Sequence, residues 1–251
     1  MLVSGSYDEA VFLWDVRAGR LMRNLPAHSD PVGGVDFLRD GSMVCSCASD
    51  GLIRIWDAGT GQCLKTLVDE DRKAVTSVRF TPNGKFVLAW TLDNSIRLWR
   101  YTEGTCVKTY HGHVNQEYNL GGTVGSYSYG NARTGLQAFV ASGSEDGDVV
   151  VWDVTSKEVL WRGKGHQDVV LAVDFGRTKE GKGLLVSGGK DRDIRVWILE
   201  EQVQDRREEV GSGEMDPNMG MEMDVDGGID GEREAIAHSG MDVDTPDPDN
   251  S

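Results

Sequence analysis

The chain has 251 residues, with 26 Lys and Arg against 41 Asp and Glu, a formal net charge of −15. It holds no run of about eighteen apolar residues, so no membrane-spanning helix is expected, and Met1-Leu2-Val3-Ser4 has neither the basic nor the apolar region of a signal peptide. Residues 200–251 hold 17 acids and 3 bases, leaving 24 acids and 23 bases in residues 1–199. Neither part has the basic stripe that nucleic-acid binding needs. Cys45, Cys47, Cys63 and Cys106 show no CxxC or Cys/His ligand spacing. They read as reduced, structural thiols of an intracellular protein.

In chain order, Leu2 to Ser4, Val11 to Trp14 and Leu21 to Leu25 read as three strands, with Tyr7-Asp8-Glu9 as a turn. Val32 to Phe37 follows, alternating as a half-buried strand should. The turn Arg39-Asp40-Gly41 leads to Met43 to Ser46, then Ile53 to Trp56 and Cys63 to Leu67. A third set runs from Val75 to Tyr110, with Pro82-Asn83-Gly84-Lys85 as its first hairpin turn. A fourth opens with Gly112-His113 and contains Gly121 to Gly135, rich in Gly, Ser and Tyr, which reads as an extended loop between its first two strands. Strands resume at Ala138 to Ser142, Val149 to Trp152 and Glu158 to Trp161. The last set gives Val169 to Phe175, Leu184 to Ser187 and Ile194 to Trp197.

One stretch recurs through these sets. Val11-Phe12-Leu13-Trp14, Ile53-Arg54-Ile55-Trp56, Ile96-Arg97-Leu98-Trp99, Val149-Val150-Val151-Trp152 and Ile194-Arg195-Val196-Trp197 each end in Trp. Each follows an Asp by a fixed gap, from Asp8, Asp50, Asp93, Asp146 and Asp191. A period near forty with a terminal Trp marks a β-propeller of WD repeats. The expected fold is therefore all-β, with residues 1–199 as about five blade equivalents of a seven-bladed ring. Three blades are complete, and the first and last are incomplete. Neither the first blade's inner strand nor the last blade's outer strand is visible. The expectation is an arc of a larger ring, with roughly two and a half further blades upstream at the repeat's period. An open arc would aggregate or pair with a second copy.

Four residue types also recur in register: His28, Ser46, Asp50 and Trp56; His113, Ser142, Asp146 and Trp152; His166, Ser187, Asp191 and Trp197. His, Ser and Asp together invite a catalytic-triad reading. An enzyme needs one such set, whereas three at the same place in successive repeats serve a repeated structural need. Each set is expected to lock its blade by a hydrogen-bonded network. No phosphate-binding, dinucleotide, zinc-protease or nucleophile-elbow motif is present. His111-Gly112-His113 lacks a third ligand, so no metal and no cofactor are expected.

Several stretches go beyond the generic repeat: Val3-Ser4-Gly5-Ser6-Tyr7-Asp8-Glu9, Leu25-Pro26-Ala27-His28-Ser29-Asp30-Pro31-Val32, Gly61-Gln62-Cys63-Leu64-Lys65-Thr66-Leu67, Thr91-Leu92-Asp93-Asn94 and Ser142-Gly143-Ser144-Glu145-Asp146. In these, residues 1 to about 199 resemble the small seven-bladed WD-repeat scaffolds of COMPASS- and mixed-lineage-leukaemia-type histone H3 lysine-4 methyltransferase complexes. The resemblance implies a non-catalytic, nuclear protein whose partners are methyltransferase core subunits and the histone H3 tail. Nucleic acid, membrane and small-molecule substrate are not among the implied partners. On the face that clamps an arginine in that family, Tyr7, Asp30, Pro31 and Tyr118 match partner-contacting residues. Ser49 stands where the family usually has Tyr, and the sequence near Gly121 departs from the family's motif. On the opposite face, which holds an acidic and apolar segment of a second subunit, Asn83, Phe86, Leu98 and Lys108 match, with Thr155 a looser match.

The alternatives from the residues themselves are a WD-repeat adaptor of another complex, such as a ubiquitin-ligase substrate receptor, and a fragment that does not close. Residues 200–251 lack aromatics and repeat Asp, Glu, Gly, Met and Pro, so a disordered acidic tail is expected. Met223-Asp224-Val225-Asp226 recurs in it as Met241-Asp242-Val243-Asp244. Its readings are a solubilising segment or a lure for basic histone tails.

Overall fold

A computed structural model describes residues 1–128 and 136–199. Among them every regular element is a strand, and eighteen strands form five antiparallel sheets in chain order. Blade one contains β1 (Leu2–Gly5), β2 (Ala10–Asp15) and β3 (Arg20–Pro26). Blade two contains β4 (Val32–Phe37), β5 (Met43–Ala48), β6 (Leu52–Asp57) and β7 (Cys63–Val68). Blade three contains β8 (Val75–Phe80), β9 (Val87–Thr91), β10 (Ser95–Arg100) and β11 (Thr105–His111). Blade four contains β12 (Gly122–Ser128), β13 (Leu136–Gly143), β14 (Asp148–Asp153) and β15 (Val159–Lys164). Blade five contains β16 (Val170–Arg177), β17 (Gly183–Gly189) and β18 (Ile194–Leu199). Each sheet is a meander, as short turns between antiparallel strands require. This is part of a WD β-propeller, with the strand count of each blade as the sequence reading has it. The acidic tail lies outside the described residues.

The core sits between blades rather than inside them. Val11, Leu13 and Leu25 of blade one pack with Val44 and Trp56 of blade two. Cys45, Cys47 and Ile55 meet Val78, Val87 and Trp99 of blade three. Leu88, Trp90 and Leu98 meet Val140, Val150 and Trp152 of blade four. Phe139, Val149 and Val151 meet Val170, Val173 and Trp197 of blade five. A strand buried on both faces has no polar side, so β9 reads Val-Leu-Ala-Trp-Thr and is buried throughout. Burial also pushes the Cys45 and Cys47 thiols up from their ordinary range, and all four cysteines are free thiols.

The turn before the Trp-bearing strand follows one recipe in every blade. The residue after the Asp lies at positive φ: Glu9 at 73°, Gly51 at 77°, Asn94 at 62°, Gly147 at 86° and Arg192 at 70°. In four of the turns an Oδ1 of the Asp accepts the N–H two residues on, at Ala10, Leu52, Asp148 and Asp193. The recurring Asp is therefore first a turn residue. A register shift precedes Trp14, Trp56, Trp99 and Trp152 on the Trp-bearing strands of the first four blades. Such bulges re-aim side chains.

Blade four departs from the sequence reading. Gly121 to Gly135 is not one loop, because Gly122–Ser128 is the inner strand β12 and pairs continuously with β13. Residues 129–135 lie outside the described residues. Part of the extra length comes earlier: residues 112–121 lead into the blade, against 27–31, 69–74 and 165–169 elsewhere. The glycine content has a packing reason. Gly122 stands opposite Ser142, where Val35, Val78 and Val173 stand opposite Ser46, Ala89 and Ser187. A Cβ at Gly122 would lie 2.5 Å from the Trp90 indole.

At Gly51 a Cβ would come within 2.6 Å of the Arg72 carbonyl oxygen on a backbone at φ +77°. Gly51→Ala is expected to destabilise the protein by about 2–3 kcal/mol. Arg192→Gly, which relieves the same backbone conformation, should stabilise it by about 0.5–1 kcal/mol. Urea denaturation of the two variants checks the opposite signs.

Candidate partner-binding faces

Two blades assemble the four-residue network. In blade two the Trp56 indole N–H donates to Ser46 Oγ at 2.9 Å, Ser46 Oγ lies 2.8 Å from His28 Nε2, and His28 Nδ1 lies 3.0 Å from Asp50 Oδ2. In blade five Trp197, Ser187, His166 and Asp191 repeat this at 2.9, 2.8 and 2.9 Å. With a carboxylate on Nδ1, the imidazole donates there and accepts the serine proton at Nε2. Ser46 and Ser187 are 0% exposed. No substrate can reach either hydroxyl, so these sets are struts. They tie the loop that leads into a blade to the strand that carries its Trp.

In blade three Ala89 takes the serine's place opposite Arg97, and the Trp99 N–H is buried without a partner. Arg97 instead binds Asp93 at 2.6 Å and Asp69 at 2.9 Å. Burial alone would raise the Asp93 carboxyl, but the hydrogen bonds and charge of Arg97 hold it down at about 2. A cavity of about 10 Å3 lined in part by Thr91, Arg97 and Trp99 lies at this seam, room for one water molecule.

In blade four the structure does not bring the expected set together. Ser142 Oγ accepts the N–H of Trp90 at 2.9 Å and donates to the Gly143 carbonyl at 2.8 Å. Trp152 donates to the His111 carbonyl at 2.8 Å. Asp146 is exposed and pairs with Arg162 at 3.3 Å. His113 is 2% exposed, its ring stands edge-on to Trp152 at 5.6 Å, and neither of its nitrogens has a partner. The cause is Trp90 of the preceding blade, whose indole reaches over Gly122 to the serine. Burial, helped by nearby His111, lowers the His113 pKa to about 4.

The residues matched by resemblance fall on opposite faces of the blades. Tyr7, 87% exposed, lies in the turn that also holds Val32 through the Ser6 carbonyl, beside half-buried Asp30 and Pro31. Tyr118 lies on the same face in the loop before β12. Three successive N–H groups of that loop, Gln116, Glu117 and Tyr118, donate to Glu145 Oε1 at 2.7–2.9 Å. The Lys190 ammonium donates to the Tyr118 hydroxyl at 2.8 Å and sits 4.8 Å from its ring centre. On the other face, Asn83 Oδ1 accepts from Thr81 and from the Lys85 N–H within its turn. Phe86 is half-buried under the Arg100 guanidinium. Lys108 Nζ donates to the carbonyls of Val154 and Thr155 at 2.7 and 2.8 Å. Leu98, 5% exposed, belongs to the seam between blades three and four rather than to an open surface. Among the described residues no three His, Cys, Asp or Glu side chains stand close enough to hold a metal.

The family described as WD domain, G-beta repeat, matches residues 19–57, 61–100, 125–153 and 157–197. Among individual relatives, the COMPASS component SWD3 of Saccharomyces cerevisiae is 35% identical over 168 residues, 64% of this chain and 53% of the relative. The nuclear distribution protein PAC1 of Arthroderma benhamiae is 30% identical over 223 residues, 80% of this chain and 47% of the relative. A WD repeat-containing protein 26 homolog of Arabidopsis thaliana is 25% identical over 199 residues, 79% of this chain and 32% of the relative. The chain spans about half the length of the first two.

His28→Ala and His166→Ala should each destabilise by about 2–5 kcal/mol, because each strands a serine and a buried carboxylate. His113→Ala breaks no hydrogen bond and should cost clearly less than either. Ala89→Ser, which offers the Trp99 N–H an acceptor, should add about 1 kcal/mol. Thermal denaturation ranks the four. Acid gives a separate test. Unfolded His113 takes a proton below its ordinary 6.5, whereas in the folded chain it stays neutral to about 4. Stability is therefore complete above pH 6.5 and falls through the window down to pH 4. The difference corresponds to about 3 kcal/mol. His113→Gln should flatten the urea midpoint between pH 7 and pH 4.5 relative to the parent.

Proposed function

This chain belongs to the family described as WD domain, G-beta repeat, and from that premise we propose that it is a non-catalytic scaffold of a histone H3 lysine-4 methyltransferase complex. The likeness to COMPASS component SWD3 carries the reading. The segregation of the matched residues supports it, because two partners can be held on opposite ends of the blades at once. Tyr7, Asp30, Pro31 and Tyr118 form the face for an arginine-bearing segment of the methyltransferase or of histone H3. Aromatic rings attract a guanidinium over their faces, and Asp30 supplies a carboxylate. Asn83, Phe86, Lys108 and Thr155 form the face for a core subunit, with Leu98 beneath them as packing. The proposed location is the nucleus. The scaffold works by holding proteins together, and its buried hydroxyls serve the blades.

The PAC1 likeness spans more of the chain, at lower identity, and favours an adaptor of a different complex as the second reading. Purification of the tagged full chain from its own cells separates the two. The expected outcome is co-purification of methyltransferase core subunits, with nuclear retention. Recovery of a different WD-adaptor assembly, with the methyltransferase subunits absent, would sink the proposal. Tyr118→Ala and Asp30→Ala should each weaken binding of an H3 amino-terminal peptide about tenfold, roughly 1.4 kcal/mol, by isothermal titration.

A further inference from the structure

Blade four contains every part of the lock that blades two and five assemble, and holds the parts away from one another. We infer that this blade exchanges between two hydrogen-bond arrangements of the Ser142 hydroxyl, in which the Trp90 and Trp152 indoles compete to donate to it and the Gly143 carbonyl and the His113 imidazole compete for its proton. The registers make the three serines equivalent. Ser46 stands opposite Arg54, Ser142 opposite Val150 and Ser187 opposite Arg195, each two residues before the blade's Trp. A serine has one proton to give. In the first arrangement that proton goes to the Gly143 carbonyl, and the Trp90 N–H takes the acceptor position that Trp56 and Trp197 occupy in blades two and five. His113 is left inside the protein with both nitrogens unpartnered. Buried polar atoms without partners are rare because they are costly.

Trp90 and Gly122 are a matched knob and hole. Cys47 and Gly188 take the strand position of Trp90 in blades two and five. Val takes the position of Gly122 in blades two, three and five. In the second arrangement the indole withdraws and the Ser142 proton turns to His113 Nε2. The Trp152 N–H leaves the His111 carbonyl for Ser142, and His113 Nδ1–H donates to Asp146. Arg162 then retains Asp148, 3.0 Å away. The loop from His113 to Tyr118 is tied to the turn that carries Asp146, because Ser144 and Glu145 bind its N–H groups, so closing the imidazole onto Asp146 acts on both. A partner seated on Tyr118 would favour one arrangement over the other. That consequence rests on the proposed partner face, whereas the exchange itself rests on the hydrogen bonds alone.

Imidazole N–H protons donated to buried carboxylates resonate far downfield in proton NMR and exchange slowly with water. In the full chain the first arrangement, held by most molecules, gives two such signals, from His28 and His166. Trp90→Phe keeps the ring but removes the competing donor, and should add a third signal that His113→Gln abolishes. A third signal already present at full strength in the parent, or a folded Trp90→Phe protein with two, overturns the inference. If Trp90→Phe does not fold, nitrogen relaxation dispersion on the parent decides. Exchange on the microsecond-to-millisecond scale is expected at the indole N–H groups of Trp90 and Trp152 and not at those of Trp56 and Trp197. Flat profiles at Trp90 and Trp152 overturn it.

Discussion

An indole N–H that is buried is costly without an acceptor, and the blades of this chain meet that demand in different ways. Trp56 and Trp197 reach a serine backed by a histidine and an aspartate. Trp14 reaches Ser4 with no histidine behind it. Trp152 reaches a backbone carbonyl, and Trp99 reaches no protein group. In blades two to five the tryptophan does not vary, because the rings of Trp56, Trp99, Trp152 and Trp197 fill the seam to the preceding blade. Its polar atom is brought along by that requirement, and the surrounding residues adapt to it.

The seams explain why the chain tolerates this variety. Each blade is a thin sheet with apolar side chains on both faces, so its core is shared with its neighbours. A network lost in one blade weakens that blade's internal brace and leaves the seam residues in place. Blade three shows a replacement: Arg97 clamped by Asp93 and Asp69 ties the same leading loop to the same strand by charge. Pairs of this kind, partly screened by solvent, contribute modestly. The bulk of the holding energy lies in side chains such as Trp90, Trp152 and Tyr110, which are fully buried.

Much of this was legible in the sequence, because the period of the Trp and Asp residues sets strand count, turn position and register together. The Asp-to-Trp spacing placed all five turns, and Asn83-Gly84 placed a hairpin. Blade four was misread for a reason that lies outside its own repeat. His113, Ser142, Asp146 and Trp152 are all present at the right spacing, and nothing within those positions signals that they stay apart. The deciding residue is Trp90, which belongs to the previous blade and to no repeated motif. The second clue, Gly122 at a valine position, looked like loop composition among so many neighbouring glycines. Pattern reading compares a repeat with its siblings. Here the competition is between adjacent repeats, and only the packing reveals it. The partner faces are a different case: the residues matched by resemblance sort cleanly by face, but Leu98 is sealed in a seam and Lys108 already has two carbonyls.

Arg79 on the inner strand of blade three pairs with Asp174 on the inner strand of blade five at 2.9 Å. Gly121, just before blade four's inner strand, exchanges backbone hydrogen bonds with β16 through Leu171 and Val173. A repeat array in which each unit touches only its neighbours behaves as a one-dimensional chain of links that can open one at a time. A contact that skips a unit turns three links into a triangle. Blades three, four and five are then joined by that pair as well as in sequence. The ion pair is too exposed to supply much energy. Its importance is topological: blade four cannot peel away from one neighbour without straining the connection between the other two. The blade that buries an unpartnered histidine is thus the one spanned by a contact between its two neighbours.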